Sequence, residues 1–231
     1  RLRGTWSEIS FQEKTHLDVN GESIVLLCMS PDDDSTLEND RMIIRSTLAS
    51  RFHKHFAEEL HRWRKTLDAL RDISNRLSRV TYLWKYLEPL FGGSEEVKRE
   101  LPIDQSRFAS VDRDLRSVLQ RARSVRIVRK VSMEADIANN LKQFEDNLGL
   151  CKQNLSHFLD EKRKVFSNFY FVAEQDMLDV LARGGKNPAS VLKYIPVLFP
   201  QWKSLDLKEE TIVDTKRFRA ERWYASVGLE S

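Results

Sequence analysis

Between residues 51 and 91, apolar side chains return at every third or fourth position: Phe52, Phe56, Leu60, Trp63, Leu67, Leu70, Ile73, Leu77, Val80, Trp84, Leu87 and Phe91. That spacing follows the α-helical period and predicts one long helix over about 51–90 with an unbroken apolar stripe, roughly 60 Å at 1.5 Å per residue. A second series, Met133, Ile137, Leu141, Phe144, Leu148, Cys151, Leu155, Phe158 and Phe166, lies nearly in heptad register and predicts another long helix over about 133–165. Two stripes of this length can bury each other.

Shorter elements fill the remainder. Asn20-Gly21 separates the β-prone runs Lys14 to Val19 and Glu22 to Cys28, which predicts a hairpin closed by a type I′ turn. Ser30 to Ser35, with Pro31 and three aspartates, reads as a capping stretch ahead of a helix over about 36–49. Gly92-Gly93 is expected to end the first long helix through positive φ, and a short turn then leads to the Leu101-Pro102 break. Val111, Leu115, Val118, Leu119 and Ala122 predict a helix over about 110–123, whereas Ser124 to Lys130 fits either a helix continuation or a loop. Asn168 to Val172 reads as a short buried aromatic link, Glu174 to Arg183 as a helix closed by Gly184-Gly185, and Asn187-Pro188 as the start of a helix that Pro196 should stop or kink near Tyr194. The expected fold class is mainly α: an elongated bundle of long antiparallel helices with a small N-terminal β-hairpin. The expected division is a hairpin segment over 1–29, a helical bundle over 30–207, and an irregular or strand-like end over 208–231.

Composition agrees with long amphipathic helices, since the chain is 41% hydrophobic and 32% charged with eight glycines and six prolines in 231 residues. Its 38 basic and 35 acidic residues leave a net charge of +3, which gives no strong electrostatic reason to expect nucleic acid or an anionic membrane as partner. Cys28 and Cys151 form neither a metal-binding pair nor a secretory disulfide framework and read as inert buried thiols in a reducing compartment. The first residue is Arg1, which reads as an internal fragment, and no apolar run reaches the length of a membrane span.

Candidate chemistry is thin. Gly184-Gly185-Lys186 lacks the rest of a phosphate loop, because Val180 and Asn187 stand where a glycine and a Ser or Thr are required. His53, His55 and His61 do not share a helix face, so they cannot ligate a metal together. Glu58-Glu59 and Glu95-Glu96 read as solvated helix faces. Arg121, Arg123, Arg126, Arg129 and Lys130 form the best candidate for an anionic partner, an acidic protein surface or a polynucleotide, although a solvated connector explains them more simply.

Three strings in order carry a family resemblance. Trp84-Lys85-Tyr86-Leu87-Glu88-Pro89-Leu90-Phe91 is similar to the W-x-Y-L-E-P-[IL]-F signature of dynein heavy-chain linkers. Leu101-Pro102 followed by Arg107-Phe108 and Val111-Asp112 resembles the L-P…R-F…V-D stretch of the same family. Phe158-Leu159-Asp160-Glu161-Lys162-Arg163 with Phe166, Phe169-Tyr170-Phe171 and Met177 to Leu181 resembles a third block, and the likeness extends upstream through Trp63 and Leu67 to Trp6. The chain departs from that pattern at Ser167-Asn168, Leu115 and Pro196.

The resemblance implies a non-catalytic lever that arches over the motor's AAA+ ring and switches between bent and straight states as the ring hydrolyses ATP. The signature residues would be structural, and Gly92, Gly93, Gly184 and Gly185 with Leu101-Pro102 would be the compliant points. This segment would hold no cofactor, with ATP and Mg bound in the downstream ring. Its partners would be that ring, other dynein subunits and neighbouring heavy chains, with the microtubule reached only through the whole motor. The form of the signature looks closer to axonemal chains, in cilia or flagella, than to cytoplasmic ones. The rival reading is a passive spectrin-like scaffold or tethering module.

Overall fold

The computed structural model describes residues 2–50, 56–183 and 192–199. Phe52, His53, His55, Gly184 to Pro188 and the strand-like end over 208–231 lie outside the described residues. The chain divides into two compact units, Arg1–Asp160 and Glu161–Ser231.

In the first unit, helix α1 (Leu2–Glu8) precedes an antiparallel hairpin of β1 (Gln12–Leu17) and β2 (Ser23–Cys28). Gln12 pairs with Cys28 and Leu17 with Ser23. The turn is not type I′, which needs positive φ at two central residues; here Gly21 has φ 80 and Asn20 does not. Asp18 is the reason. Its Oδ1 accepts the Asn20 and Glu22 amides at 2.9 and 2.8 Å, and its carbonyl accepts the Gly21 amide at 2.9 Å, so the loop tightens around the aspartate with a single left-handed glycine.

Helix α2 spans Pro31–Ala49, five residues earlier at its start than the sequence suggests. Pro31 occupies the first helical position, the Ser30 side chain caps the Asp33 amide, and Asp32, Asp33 and Asp34 sit in the first turn, where carboxylates favour the helix dipole. The aspartates therefore begin the helix rather than delay it. Helix α3 spans Ala57–Gly93 and buries Trp63, Leu67, Leu70, Ile73, Leu77, Val80, Trp84, Leu87 and Phe91, the anticipated stripe from Trp63 onward, whereas Leu60 is half-buried and Phe56, just ahead of the helix, is exposed. Pro89 lies inside it without ending it. Gly92 and Gly93 are helical and do not take positive φ; the stop comes at Ser94, extended at φ −95 and ψ 113, whose side chain caps α4 (Glu95–Glu100).

Helix α5 (Pro102–Val125) starts with proline at its first turn and is longer than the anticipated 110–123. The Ser124 to Lys130 stretch resolves into a sharp connector and the short helix α6 (Val128–Ser132). Helix α7 covers Ala135–Val165. Side-chain pairs give the directions: α2 runs antiparallel to α3 through Arg71 with Asp34 and Arg41 with Asp68. α3 runs antiparallel to α5 through Phe91 with Phe108 and Trp84 with Asp112, and α5 antiparallel to α7 through Asn154 with Asp104 and Arg121 with Glu134. Consecutive long helices thus alternate as expected. The two longest, α3 and α7, run parallel, linked by Arg76 with Glu145 and Lys152 with Tyr86.

In the second unit, a 3₁₀ turn (Ser167–Phe171) precedes α8 (Glu174–Arg183) and α9 (Ile195–Leu198). The turn is not a buried link. Phe166 stacks edge-on against Phe169 at 4.9 Å and lies 5.8 Å from Phe199, but Tyr170 and Phe171 are 62% and 76% exposed. A turn with three residues per repeat cannot direct every ring of a consecutive aromatic run inward. Pro196 lies in the first turn of α9, and the helix anticipated from Asn187-Pro188 falls outside the described residues.

Candidate functional site

The residues singled out by sequence converge where the hairpin tip, the C-terminal half of α3 and the first half of α5 meet. Helical spacing places Trp84, Glu88 and Phe91 on one face of α3, and all three are buried. The Trp84 indole N–H donates to Asp112 Oδ1 at 2.9 Å, and its ring meets His16 edge-on with centroids 5.4 Å apart. Phe91 stacks on Phe108 of α5 at 5.4 Å. Glu88 Oε1 accepts the backbone N–H of Val19, in the hairpin turn, at 2.8 Å. Leu87 is fully buried, Tyr86 lies under the Lys152 ammonium at 5.5 Å, and Pro89 faces outward. The signature string is therefore a joint, in which Trp84, Glu88 and Phe91 each hold a different neighbour.

Arg116 completes it. One turn beyond Asp112 on α5, it donates through Nε to Asp112 Oδ2 at 3.0 Å and through Nη2 to Asp18 Oδ2 at 2.9 Å. Burial pushes the Asp18 carboxyl up, but Arg116 and the two turn amides outweigh it, so this carboxyl titrates below its ordinary value. Glu88 goes the other way. Burial is the largest influence and raises it, the Val19 amide opposes, and the charges of Asp18 and Asp112 add to the rise.

Close approach decides the glycine beside this joint. A Cβ at Gly92 would meet Val19 Cγ2 at 2.8 Å, whereas one at Gly93 would lie 3.9 Å from Val19 Cγ1. Gly92 thus has a packing reason, seating the hairpin tip, apart from any freedom to bend.

A second polar joint lies further along α5. Asp104, next to the Leu101-Pro102 break, accepts from the Asn154 side-chain amide nitrogen through both carboxylate oxygens at 3.0 Å, pairs with Arg107, and through its carbonyl accepts the Cys151 thiol at 3.7 Å. Burial, with the Asp104 charge, pushes the Cys151 thiol up to about 11, which suits an inert core sulfur. Trp63 belongs to a third contact, under the Arg129 guanidinium at 5.0 Å.

The basic run is largely consumed internally. Arg121 pairs with Glu134 at 3.2 Å, Arg123 with Glu13 of β1 at 2.9 Å, and Arg129 covers Trp63, while Arg121, Arg123, Arg126 and Lys130 all remain exposed. Of the third block, Leu159 is fully buried, while Lys162 and Arg163 are half-buried. Sequence reading missed Asp18, Arg116, Asp104 and Asn154. Only the Asp112–Arg116 spacing of four carried a signal.

These joints define a class of molecule: an interlocked helical module whose buried polar groups serve to tie elements together. The chain matches the family described as Dynein heavy chain, N-terminal region 2, over residues 1–222, and it belongs to that family. It is 30% identical to the flagellar outer arm dynein alpha chain of Chlamydomonas reinhardtii over 230 residues, which is 100% of this chain and 5% of that protein. It is 30% identical to the dynein axonemal heavy chain 9 of Homo sapiens over 198 residues, 86% of this chain and 4% of that protein. With the cytoplasmic dynein 2 heavy chain 1 of Mus musculus it shares 32% identity over 173 residues, 75% of this chain and 4% of that one. The chain thus spans about a twentieth of the relatives it matches.

Proposed function

We propose that this chain is a non-catalytic mechanical element, the linker segment of a dynein heavy chain, which passes ATP-driven rearrangements of an AAA+ ring to the tail. Its setting is the ciliary or flagellar axoneme, as the names of the flagellar and axonemal relatives suggest. The carrying observation is the joint at Trp84 and Glu88, where one signature string fastens the hairpin, α5 and α7 to a helix of 37 residues. A helix of that length, about 55 Å, fixed at several points along one face has the stiffness a lever needs. In this reading the ring supplies the nucleotide and magnesium chemistry, and the microtubule is reached only through the rest of the motor.

The test uses the complete heavy chain carrying Arg116→Ala. Expected is slower microtubule gliding with the basal ATPase of the ring retained, because the lever softens while the ring remains whole. Unchanged gliding velocity in a protein shown to have lost the joint would count against the lever. ATP turnover by the 231-residue chain alone would overturn the non-catalytic reading. A reading frame that continues without AAA+ modules would favour a passive scaffold instead.

A further inference from the structure

The connector between α5 and α6 contains a strained residue. Arg126 has φ 58 and ψ −48, the one described non-glycine residue with positive φ. The Ile127 amide donates to the Val125 carbonyl at 2.7 Å, closing a three-residue turn around it. This is the rare γ-turn with positive φ, disfavoured for a residue with a side chain, and it lasts only where its surroundings impose it.

What imposes it is the stretch ahead of the hairpin. Ser10 and Ile127 form an isolated antiparallel bridge, flanked by the Phe11 amide donating to the Arg126 carbonyl at 3.3 Å and the Val128 amide donating to the Ile9 carbonyl at 3.2 Å. Both bonds grip the turn from its carbonyl side and its far end. Residues 9–11 are themselves suspended between two anchors, the fully buried Trp6 of α1, whose indole donates to Asp40 of α2 at 3.0 Å, and the start of β1. The bridge is one residue pair wide, and of residues 9–11 only Phe11 is buried.

We propose that residues 9–11 are a releasable strap that holds the α5–α6 connector in its strained turn, so that detaching the segment lets Arg126 relax and frees the angle between α5 and α6. The inference stands on the turn and the bridge alone and does not depend on the motor reading. Strain at Arg126 opposes the hydrogen bonds of the strap and the burial of Phe11, and so lowers the cost of opening. An unstrained connector would open less often.

The test is amide hydrogen exchange on the full 231-residue chain by NMR, following Phe11 and Val128 against the α3 core amides of Leu70 and Val80. In the unaltered chain, Phe11 and Val128 should exchange together and faster than the core, through local opening. Arg126→Gly removes the strain without touching the strap bonds, and should slow both amides about 5- to 100-fold while the core amides change less, as expected for strain of the usual size at such a residue. A Ser10→Cys, Ile127→Cys pair occupies a non-hydrogen-bonded cross-strand position, where Cα atoms lie about 4.5 Å apart, so it should close a disulfide on oxidation. Oxidation should then slow the same two amides, and reduction should restore them. The proposal fails if Phe11 and Val128 exchange only at the core rate, if Arg126→Gly leaves them unchanged or accelerates them, or if the cysteine pair does not close.

Discussion

Replacing Arg116 by methionine removes the cation that reaches both Asp18 and Asp112 while keeping much of the side chain's apolar volume. Asp18 is the critical partner, since its side chain is 1% exposed and its remaining ligands would be the two turn amides. Breaking a fully buried ion pair from one side costs about 3–5 kcal/mol. Arg116 itself is 33% exposed and the Glu22 contact, at 3.5 Å to a side chain 71% exposed, adds little, so screening reduces the expectation to about 2–3 kcal/mol at neutral pH. The loss must also depend on pH. With Arg116 present, the folded-state Asp18 titrates below its ordinary value of 3.8, so its contribution exists above that value and fades as pH falls through the depressed one. Without Arg116 only the two turn amides oppose the effect of burial, so ionised Asp18 is less well held and protonation relieves part of the loss. Urea unfolding followed by circular dichroism should therefore show the variant far less stable at pH 7, with the gap narrowing towards pH 3. Adding Asp18→Asn to the variant should recover at least half the loss, because an amide oxygen still accepts the Asn20 and Glu22 amides without a charge. A deficit of the same size at pH 7 and pH 3, or no recovery by Asp18→Asn, would contradict this account of the joint.

Three further outcomes follow from the same region. Trp84→Ala empties a buried indole site and should cost about 3–5 kcal/mol by chemical denaturation, and a change under about 1 kcal/mol would show that the ring is not packed as described. Glu88 has a raised folded pKa, so its stabilising effect is present below its ordinary value of 4.5 and is lost as pH rises through the folded value. Glu88→Gln, neutral throughout, should thus compare more favourably with the parent chain at pH 7 than at pH 4, and the reverse order in thermal melts would be inconsistent with burial as the dominant cause. Gly93→Ala should gain up to about 1 kcal/mol from helix propensity, whereas Gly92→Ala should forfeit that gain by displacing Val19, so equal melting temperatures for the two would refute a packing role for Gly92.

The long helices were legible because their cores face one way along a repeating register: each residue from Trp63 to Phe91 in the anticipated stripe that α3 contains is buried or placed on its helical face. Local chemistry read less well where a side chain competed with a propensity rule. Asn20-Gly21 favours one turn type on its own, but Asp18 captures the turn amides and selects another. Asp32, Asp33 and Asp34 look like helix breakers until Ser30 and Pro31 make them the first turn of α2. Partnerships over long separations left no mark at all. Asp18 and Arg116 are 98 positions apart, and nothing about either residue alone names the other. Neither does the pattern of apolar positions say that α7 lies parallel to α3, since a stripe shows which face is buried and not what buries it. The strained geometry at Arg126 was invisible for the same reason, being imposed by residues 9–11 from far upstream.

The hairpin is made early and fastened late. Its tip is held by Glu88, 69 positions after Val19, and by Arg116. A ribosome adding about 5–20 residues per second would need roughly 5–20 s to deliver those anchors after the tip emerges. Until α3 and then α5 emerge, the face of β2 that carries Ile24 and Leu26 has neither of the helices that later pack on it. A nascent chain is thus most exposed to mispairing before α5 leaves the exit tunnel, and pauses in translation placed before that point would lengthen the hazard.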